Sequence, residues 1–497
     1  MVARPRSLAL LLSVSVLTGC AAVGPDYHSP ELALSPHFLG QEAVAQREAL
    51  NKANLQAWWD GFRDPVLARF VSLALEQNLD IAQAAARVAQ SRASLRYADA
   101  ALLPAANVSS SAAKAYQSLE TPLGQVLGAA PGFDRSGSAY EADLGAGWEI
   151  DVFGGLRRGR EAARAEYAGS EAGAIATRLA VAAQTADAYV TVRGLQARIA
   201  IAGQQAETRR KLLATVKLQY EKGIAAELQM NQAEGSLTQA EAQIPGLEAG
   251  LDSAMNALDV LLGVPPGTCR TELAAVAPVP VAPGLAETGT PAEMIRRRPD
   301  LIVAERRLAA ASARIGVAVS EYYPKFTLGA LLGSATAISS GNLFSGAAGQ
   351  AQGVLGVRWR LFDFGRVDAQ VAAARGQEAE ALAAYRLAVL RATEEVENAF
   401  SALVKREAQV AILARGESSF ARTRENSLAA YKSGVVSLIE VLDADGNLLQ
   451  VRDAKAQAQT EAARAAIASF RALGGGWDVP QASSDRLYSE LSTINQR

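Results

Sequence analysis

The residues Trp148-Glu149-Ile150-Asp151-Val152-Phe153-Gly154 open a stretch that the chain contains twice. Shifted by 211 positions, Trp148–Gly263 lies on Trp359–Gly474 without a gap. Trp148/Trp359, Phe153/Phe364, Gly154/Gly365, Ala188/Ala399, Tyr220/Tyr431, Gly223/Gly434, Leu237/Leu448, Leu262/Leu473 and Gly263/Gly474 all coincide. Upstream, a shift of 220 aligns Asp80/Asp300, Ala84/Ala304, Arg87/Arg307, Ala93/Ala313 and Pro104/Pro324. The offset changes between the proline and the tryptophan, so the first copy has the longer loop there. A fixed offset sustained over this length is an internal duplication. Each copy reads helix, proline, strand, loop, strand, Phe-Gly, very long helix, turn, helix.

The segment before each Phe-Gly has a period of two. Tyr140, Ala142, Leu144, Ala146, Trp148, Ile150 and Val152 alternate with Glu141, Asp143, Gly145, Gly147, Glu149 and Asp151. The second copy repeats the pattern with Phe326, Leu328, Ala330 and Leu332, then Leu355, Val357, Trp359 and Leu361 opposite Arg358 and Arg360. One apolar and one polar face is the alternation of a transmembrane barrel strand, and also that of two amphipathic hairpins on a soluble core. After residue 20 the chain has no run of about 18 apolar residues, so a membrane crossing would have to use strands. Four strands do not close a barrel, and open sheet edges cannot face lipid, so a membrane barrel would need several copies of the chain. The loops at about 119–138 and 337–350, rich in Gly, Ser and Ala, suit an outer surface. Tyr322, Tyr323, Trp148 and Trp359 suit the opposite interface.

Beyond the Phe-Gly junctions, Arg160–Glu221 and Arg366–Lys432 run without proline. At the α-helical rise each would be about 95 Å long. Ile175, Leu179, Ala182, Ala186 and Tyr189 step by four and three, a knobs-into-holes spacing with small knobs. The glycines of Tyr220-Glu221-Lys222-Gly223 and Tyr431-Lys432-Ser433-Gly434 offer helix ends and reversals. The returning helix carries Leu237, Ala240, Ile244, Leu247, Leu251, Ala254, Leu258 and Leu261, with Pro245 predicting a kink. Further upstream, Leu67, Phe70, Val71, Ala74, Leu75, Leu79 and Ala82 predict a helix, with Asn78-Leu79-Asp80 marking a break.

The N-terminus carries Arg4 and Arg6, the apolar run Leu8–Leu17, and then Thr18-Gly19-Cys20, which is the plan of a signal peptide. Leu17-Thr18-Gly19-Cys20 resembles a bacterial lipobox, in which the cysteine is lipidated; an ordinary secretory signal is the plainer alternative. With 49 basic and 51 acidic residues, the charge balance points to no nucleic-acid partner. The second of the two cysteines, Cys269, is then left unpaired. The only histidines, His28 and His37, lie in the irregular N-terminal stretch. No metal-ligand spacing, phosphate-binding glycine loop or Ser-His-Asp set is present, which argues against an enzyme.

The predicted division is a signal peptide at 1–19, a lipidated extended segment at 20–64 and a first repeat at 65–263. That repeat holds a helix, a β-hairpin at about 104–153 and a helical hairpin at about 160–263. A Pro-rich extended connector follows at 264–291. The second repeat spans 292–474, with a helix, a β-hairpin at about 324–364 and a helical hairpin at about 366–474, leaving a tail at 475–497.

The lipobox, the Gly24-Pro25-Asp26-Tyr27 that follows it, the paired Tyr-x-x-Gly tips and Leu438-Ile439-Glu440-Val441-Leu442-Asp443-Ala444 together resemble the TolC/OprM-type outer-membrane factors. The likeness is to their NodT-like lipoprotein branch and covers essentially the whole mature chain. It implies a mainly α protein with transmembrane β-strands, in which a homotrimer shares a twelve-stranded barrel continued by an α-helical barrel. It implies an outer-membrane location, with the body extending into the periplasm. The partners implied are a periplasmic adaptor and an inner-membrane pump, and the function is export of small molecules or drugs. Type I protein secretion uses the same architecture. A periplasmic adaptor lipoprotein is the third reading, although it would need only one helical hairpin. The resemblance implies no cofactor beyond a covalent lipid on Cys20, and no metal.

By position, Glu440 and Asp443 match the acidic residues ringing the periplasmic gate of such channels, with Tyr431 beside them; the plainer reading is two exposed charges on a helix. Gly223 and Gly434, with Lys222, Ile224, Ser433 and Val435, resemble adaptor-docking turns; a simple turn requirement explains the glycines equally well. The family's arginine–aspartate latch is absent, because the matching positions are Val436 and Gln229. Closure must rest on other contacts.

Overall fold

The computed structural model describes residues 22–32, 34–47, 52–285 and 289–477. The segment expected to be a signal peptide, Cys20 and the tail beyond 477 lie outside the described residues. In chain order the elements are α1 (Gln41–Ala45), β1 (Lys52–Ala53), α2 (Pro65–Gln77), α3 (Leu79–Ala100), β2 (Ala105–Tyr116), α4 (Pro122–Gly128) and β3 (Ser136–Ile150). They continue with α5 (Gly155–Glu221), α6 (Glu227–Glu241), α7 (Ile244–Leu261), β4 (Gly284–Leu285), α8 (Pro291–Arg297) and α9 (Pro299–Ser320). The last are β5 (Lys325–Thr336), β6 (Gly349–Arg358), α10 (Arg366–Lys432) and α11 (Leu438–Ala472). Two compact units are built from them. One holds residues 89–169, 305–384 and the segment up to Pro30; the other holds 31–88, 170–304 and the chain from 385 onward.

The first unit contains an antiparallel sheet in the order β2-β3-β5-β6. Its register puts Leu144 opposite both Val108 and Leu332, and Leu328 opposite both Trp148 and Leu355, so the apolar residues form one continuous face. The other face carries Asn107, Glu141, Asp143, Glu149, Thr327 and Gln350, and Gln350 Nε2 donates to Asp143 Oδ1 at 2.8 Å. Among the described residues, the outer edges of β2 and β6 pair with no strand. Below the sheet, Trp148 Nε1 donates to the Leu102 carbonyl at 2.9 Å and Trp359 Nε1 to the Tyr322 carbonyl at 3.0 Å. These are equivalent bonds in the two repeats. Phe153 stacks on Tyr323 with ring centroids 4.5 Å apart, whereas Phe364, its equivalent, is fully exposed.

The segment after residue 21 is pinned to this unit. Val23 N–H donates to the Phe153 carbonyl at 3.0 Å. The buried Arg158 donates to the carbonyls of Val23 and Gly24 and, at 2.8 Å, to Asp26. Tyr27 Oη donates to Glu305 at 2.6 Å, and burial raises the pKa of its hydroxyl. Gly24 lies so close to Gly316 that an added Cβ would sit 2.4 Å from the Gly316 Cα.

In the second unit, Asp64 caps α2 by accepting from Val66 N–H and Leu67 N–H, with Pro65 in the first turn, where its missing donor costs nothing. Asn78 ends α2 and caps α3 through Asp80 N–H and Ile81 N–H. Trp58 stacks on Phe470 at 5.5 Å. Tyr189 Oη donates to Asp64 at 2.8 Å and accepts from Arg193, and burial pushes its pKa up to about 12. The stripe Ile175, Leu179, Ala182, Ala186 and Tyr189 is buried. Cys269 is a buried free thiol raised to about 11 by burial, and its N–H donates to Asp259.

Three readings need amendment. The segment expected to be extended between 20 and 64 forms α1, β1 and a 3₁₀ turn at Trp58–Phe62, because Trp58 and Phe62 turn inward onto the core. The connector at 264–291 is not wholly extended: it holds a 3₁₀ turn at Glu272–Ala274 and β4, which pairs in parallel with β1. The kink expected at Pro245 is a full interruption. α6 ends at Glu241 and α7 restarts with Pro245 in its first turn, whereas the second repeat has Ala456 there and α11 is continuous.

Candidate gate and helical tips

The 67-residue helices α5 and α10 both end on glycines in the left-handed region, Gly223 at φ +71° and Gly434 at +73°. Equivalent backbone bonds close the two reversals. Gly223 N–H donates to Tyr220 O and Ile224 N–H to Gln219 O; Gly434 and Val435 repeat this on Tyr431 O and Ala430 O, all at 2.8–2.9 Å. Such bonds satisfy helix-end carbonyls that would otherwise lack partners. Nothing lies within 4 Å of a Cβ built at either glycine, and Lys222 and Ser433 are exposed.

Two apolar pairs project from the turns. Ile224 and Val435 are 74% and 76% exposed, and Leu228 and Ile439 are 66% and 51% exposed. Each pair is related by the 211-residue shift. Leu228 and Ile439 escaped the sequence reading, although the repeated apolar residue one turn past each glycine was the signal. Behind the tips, Val216, Ala233 and Leu438 form a small buried cluster against which Tyr431, Leu442 and Met230 pack.

Tyr431 is half-buried; its hydroxyl donates to Gln219 Oε1 at 3.0 Å, and burial raises its pKa. Glu440 lies in the first turn of α11, where it accepts from Ser437 N–H at 2.6 Å and from the Ser437 hydroxyl. That hydroxyl holds the Glu440 carboxyl below the usual glutamate range. Asp443 is exposed three residues further on, on the same side of the helix as Glu440. Gln229, which stands where the latch carboxylate was sought, accepts from Ala226 N–H at 3.0 Å and so caps α6.

The structure adds Asp445, which the sequence reading passed over. It is buried, in contact with Gln205 and Arg209 of α5 and near Arg424 of α10. A charge that continues the buried stripe Leu438, Val441, Leu448 was the available signal.

Comparison with known proteins follows the same duplication. The family model described as "Outer membrane efflux protein" matches residues 70–264 and again 290–475. Over 481 residues the chain is 31% identical to the pyoverdine export outer membrane protein OpmQ of Pseudomonas putida, covering 96% of this chain and 98% of the relative. It is 30% identical over 497 residues to nodulation protein T of Rhizobium leguminosarum bv. viciae, covering 98% and 96%. Among solved structures it matches the outer-membrane channel OprN with a TM-score of 0.83 and 30% identity, over 92% of this chain and all of that one. Proteins of this family are channel components that span the periplasm and pair with adaptors and inner-membrane pumps; they are not enzymes. The chain therefore belongs to the outer membrane efflux proteins, and it is an outer-membrane efflux channel.

Proposed function

We propose that three copies of this chain close one twelve-stranded barrel and form a tunnel for small molecules, gated at the helical tips. The observation that carries this is a four-stranded sheet with one apolar face and two free edges. Unpaired edges are intolerable in lipid, and only further copies can satisfy them. The internal repeat supplies the register. The β2·β3 and β5·β6 hairpins share one register under the two shifts, and β3 pairs with β5 inside the chain. Carrying the β3·β5 register onto the free edges sets Val354 of one copy opposite Ala113 of the next, and Val357 opposite Ser110. The exposed Phe364 would then find Leu103 of the neighbour, as Phe153 finds Tyr323 within the chain.

Cys20 carries the lipid in this reading. Support comes from its closeness in sequence to Ala22, whose Cβ lies 2.4 Å from where a Cβ on Gly154 would sit, at the strand-to-helix junction. An acyl chain there would enter the membrane beside the barrel. At the helical tips, Glu440 and Asp443 from each copy would ring the pore and favour cations, with Tyr431 bracing the turn. Gly223, Gly434, Lys222, Ile224, Ser433 and Val435 would dock a periplasmic adaptor, and the repeated exposed apolar pairs support a protein contact there. Small molecules are favoured as cargo over protein by relatives such as the pyoverdine export protein.

The test is single-channel current in a planar bilayer, with the mass of the detergent-solubilised particle measured alongside. A trimeric mass and cation-preferring conductance, with the preference lost in Glu440→Ala/Asp443→Ala, is the expected result. An unaltered preference in the double variant removes the gate assignment. A monomeric mass without conductance removes the tunnel.

A further inference from the structure

Asp445 is 4% exposed on α11, where Glu440 and Asp443 both face outward. Gln205 Nε2 donates to its Oδ2 and, at 3.3 Å, to its backbone carbonyl. Arg209 Nε donates to the same Oδ2 at 3.4 Å, and Arg209 Nη1 donates to the Ser236 carbonyl of α6 at 2.6 Å. Arg424 Nε of α10 stands 3.6 Å from Oδ1. Gln205 and Arg209 are themselves buried, at 5% and 6% exposure. One carboxylate thus joins α5, α10 and α11, and through Arg209 reaches α6. It therefore ties both helical hairpins to each other.

The cluster sits about 15–20 Å along the helices from the turns, judged by the residues separating Arg209 from Gly223 and Asp445 from Gly434. At the tips the hairpins share the Tyr431 hydroxyl bond to Gln219 and the Val216, Ala233 and Leu438 cluster, but Val436 and Gln229 supply no charge pair there. A buried guanidinium is tolerated only while its counter-charge stays in place, so removing one partner of such a pair is far more damaging than its small net contribution suggests. Separating the hairpins would break the Gln205 and Arg209 contacts together, leaving Asp445 with only Arg424 of its own hairpin.

We propose that Asp445, gripped by Gln205, Arg209 and Arg424, is the positioning residue that locks the two helical hairpins behind the tips and keeps the resting tunnel narrow. The assignment rests on the channel reading above. It fills the place left by the missing latch with a contact inside one chain.

Planar-bilayer recording of the full-length protein tests this with Asp445→Asn, which keeps the shape and removes the charge. Resting conductance is expected to rise roughly tenfold or more, with copy number unchanged. In Gln205→Cys/Asp445→Cys, bridging the two introduced thiols with a cleavable bifunctional reagent is expected to return the resting current to the parent level, and cleavage to raise it again. A merely structural residue would not respond to the bridge. If Asp445→Asn does not assemble, Gln205→Leu, which removes a bond between the hairpins and leaves the charges in place, is expected to show a rise in the same direction. A parent that conducts while an assembled Asp445→Asn or Gln205→Leu matches its resting current, or a bridged pair that stays leaky, overturns the lock and leaves the channel standing. A parent that does not conduct overturns the channel reading itself.

Discussion

The side-chain amide of Asn78 donates to the backbone carbonyl of Leu261 at 2.8 Å. Its counterpart in the second repeat, Arg298, donates to Ala472 at 3.1 Å, so the two copies share the bond although the donor has changed from amide to guanidinium. In each copy the start of the repeat is fastened to the end of its returning helix. Asn78 also caps α3, so Asn78→Ala removes both functions and leaves a buried carbonyl unpaired. A loss of roughly 1–3 kcal/mol is expected, read as a lowered unfolding midpoint in detergent. An unchanged midpoint would show that this fastening is dispensable.

Gly263 and Gly223 share φ +71° but differ in surroundings. A Cβ on Gly263 would lie 2.7 Å from the Gln77 carbonyl, whereas one on Gly223 meets nothing within 4 Å. Gly263→Ala should therefore cost distinctly more stability than Gly223→Ala, for which only the backbone penalty of about 1 kcal/mol applies. If the tips dock an adaptor, Gly223→Ala should reduce efflux in cells more than its small stability loss explains. Parallel losses of efflux and stability would reduce Gly223 to a turn residue.

Register between copies is open to direct chemistry. Val354→Cys/Ala113→Cys should form dimers and trimers under mild oxidation, since antiparallel partners sit with Cα atoms roughly 4.5–5.5 Å apart. Val354→Cys/Ser111→Cys, two residues out of step, should not. The opposite pattern would mean that the free edges meet in a register the internal repeat does not dictate.

Glu440 combines a cap with a charge, and two substitutions separate them. Glu440→Gln keeps an acceptor for Ser437 N–H, whereas Glu440→Ala loses both. Equal loss of cation preference in the two variants would assign the selectivity to charge; loss in Glu440→Ala alone would assign it to the shape of the tip. Because the Ser437 hydroxyl lowers the Glu440 pKa, the carboxylate and its cap are complete above the ordinary glutamate value. They are lost only as pH falls through the lower, folded value. Selectivity in the parent should accordingly persist on acidification past the point where an ordinary glutamate would be half-protonated.

The duplication, the strands and the long helices are legible in the residues alone, because they are written in local periodicity. The period-two alternation around Trp148 and Trp359, the proline-free runs into Tyr220 and Tyr431 and the repeated glycines each fix backbone conformation over a few residues. Gly434, Glu440 and Asp443 were likewise legible as one turn and the helix start after it, since residues so near in sequence need no tertiary information. Features that depend on distant segments meeting emerge only in the folded chain. Trp58 turns inward because Phe470, more than 400 residues on, offers it a face. The connector bends because β4 finds β1. Asp445 reads in sequence as one more surface acid near the tip, yet Gln205, Arg209 and Arg424 arrive from two other helices to bury it. A buried charge is acceptable only when its partners come from elsewhere in the fold, which no local pattern records.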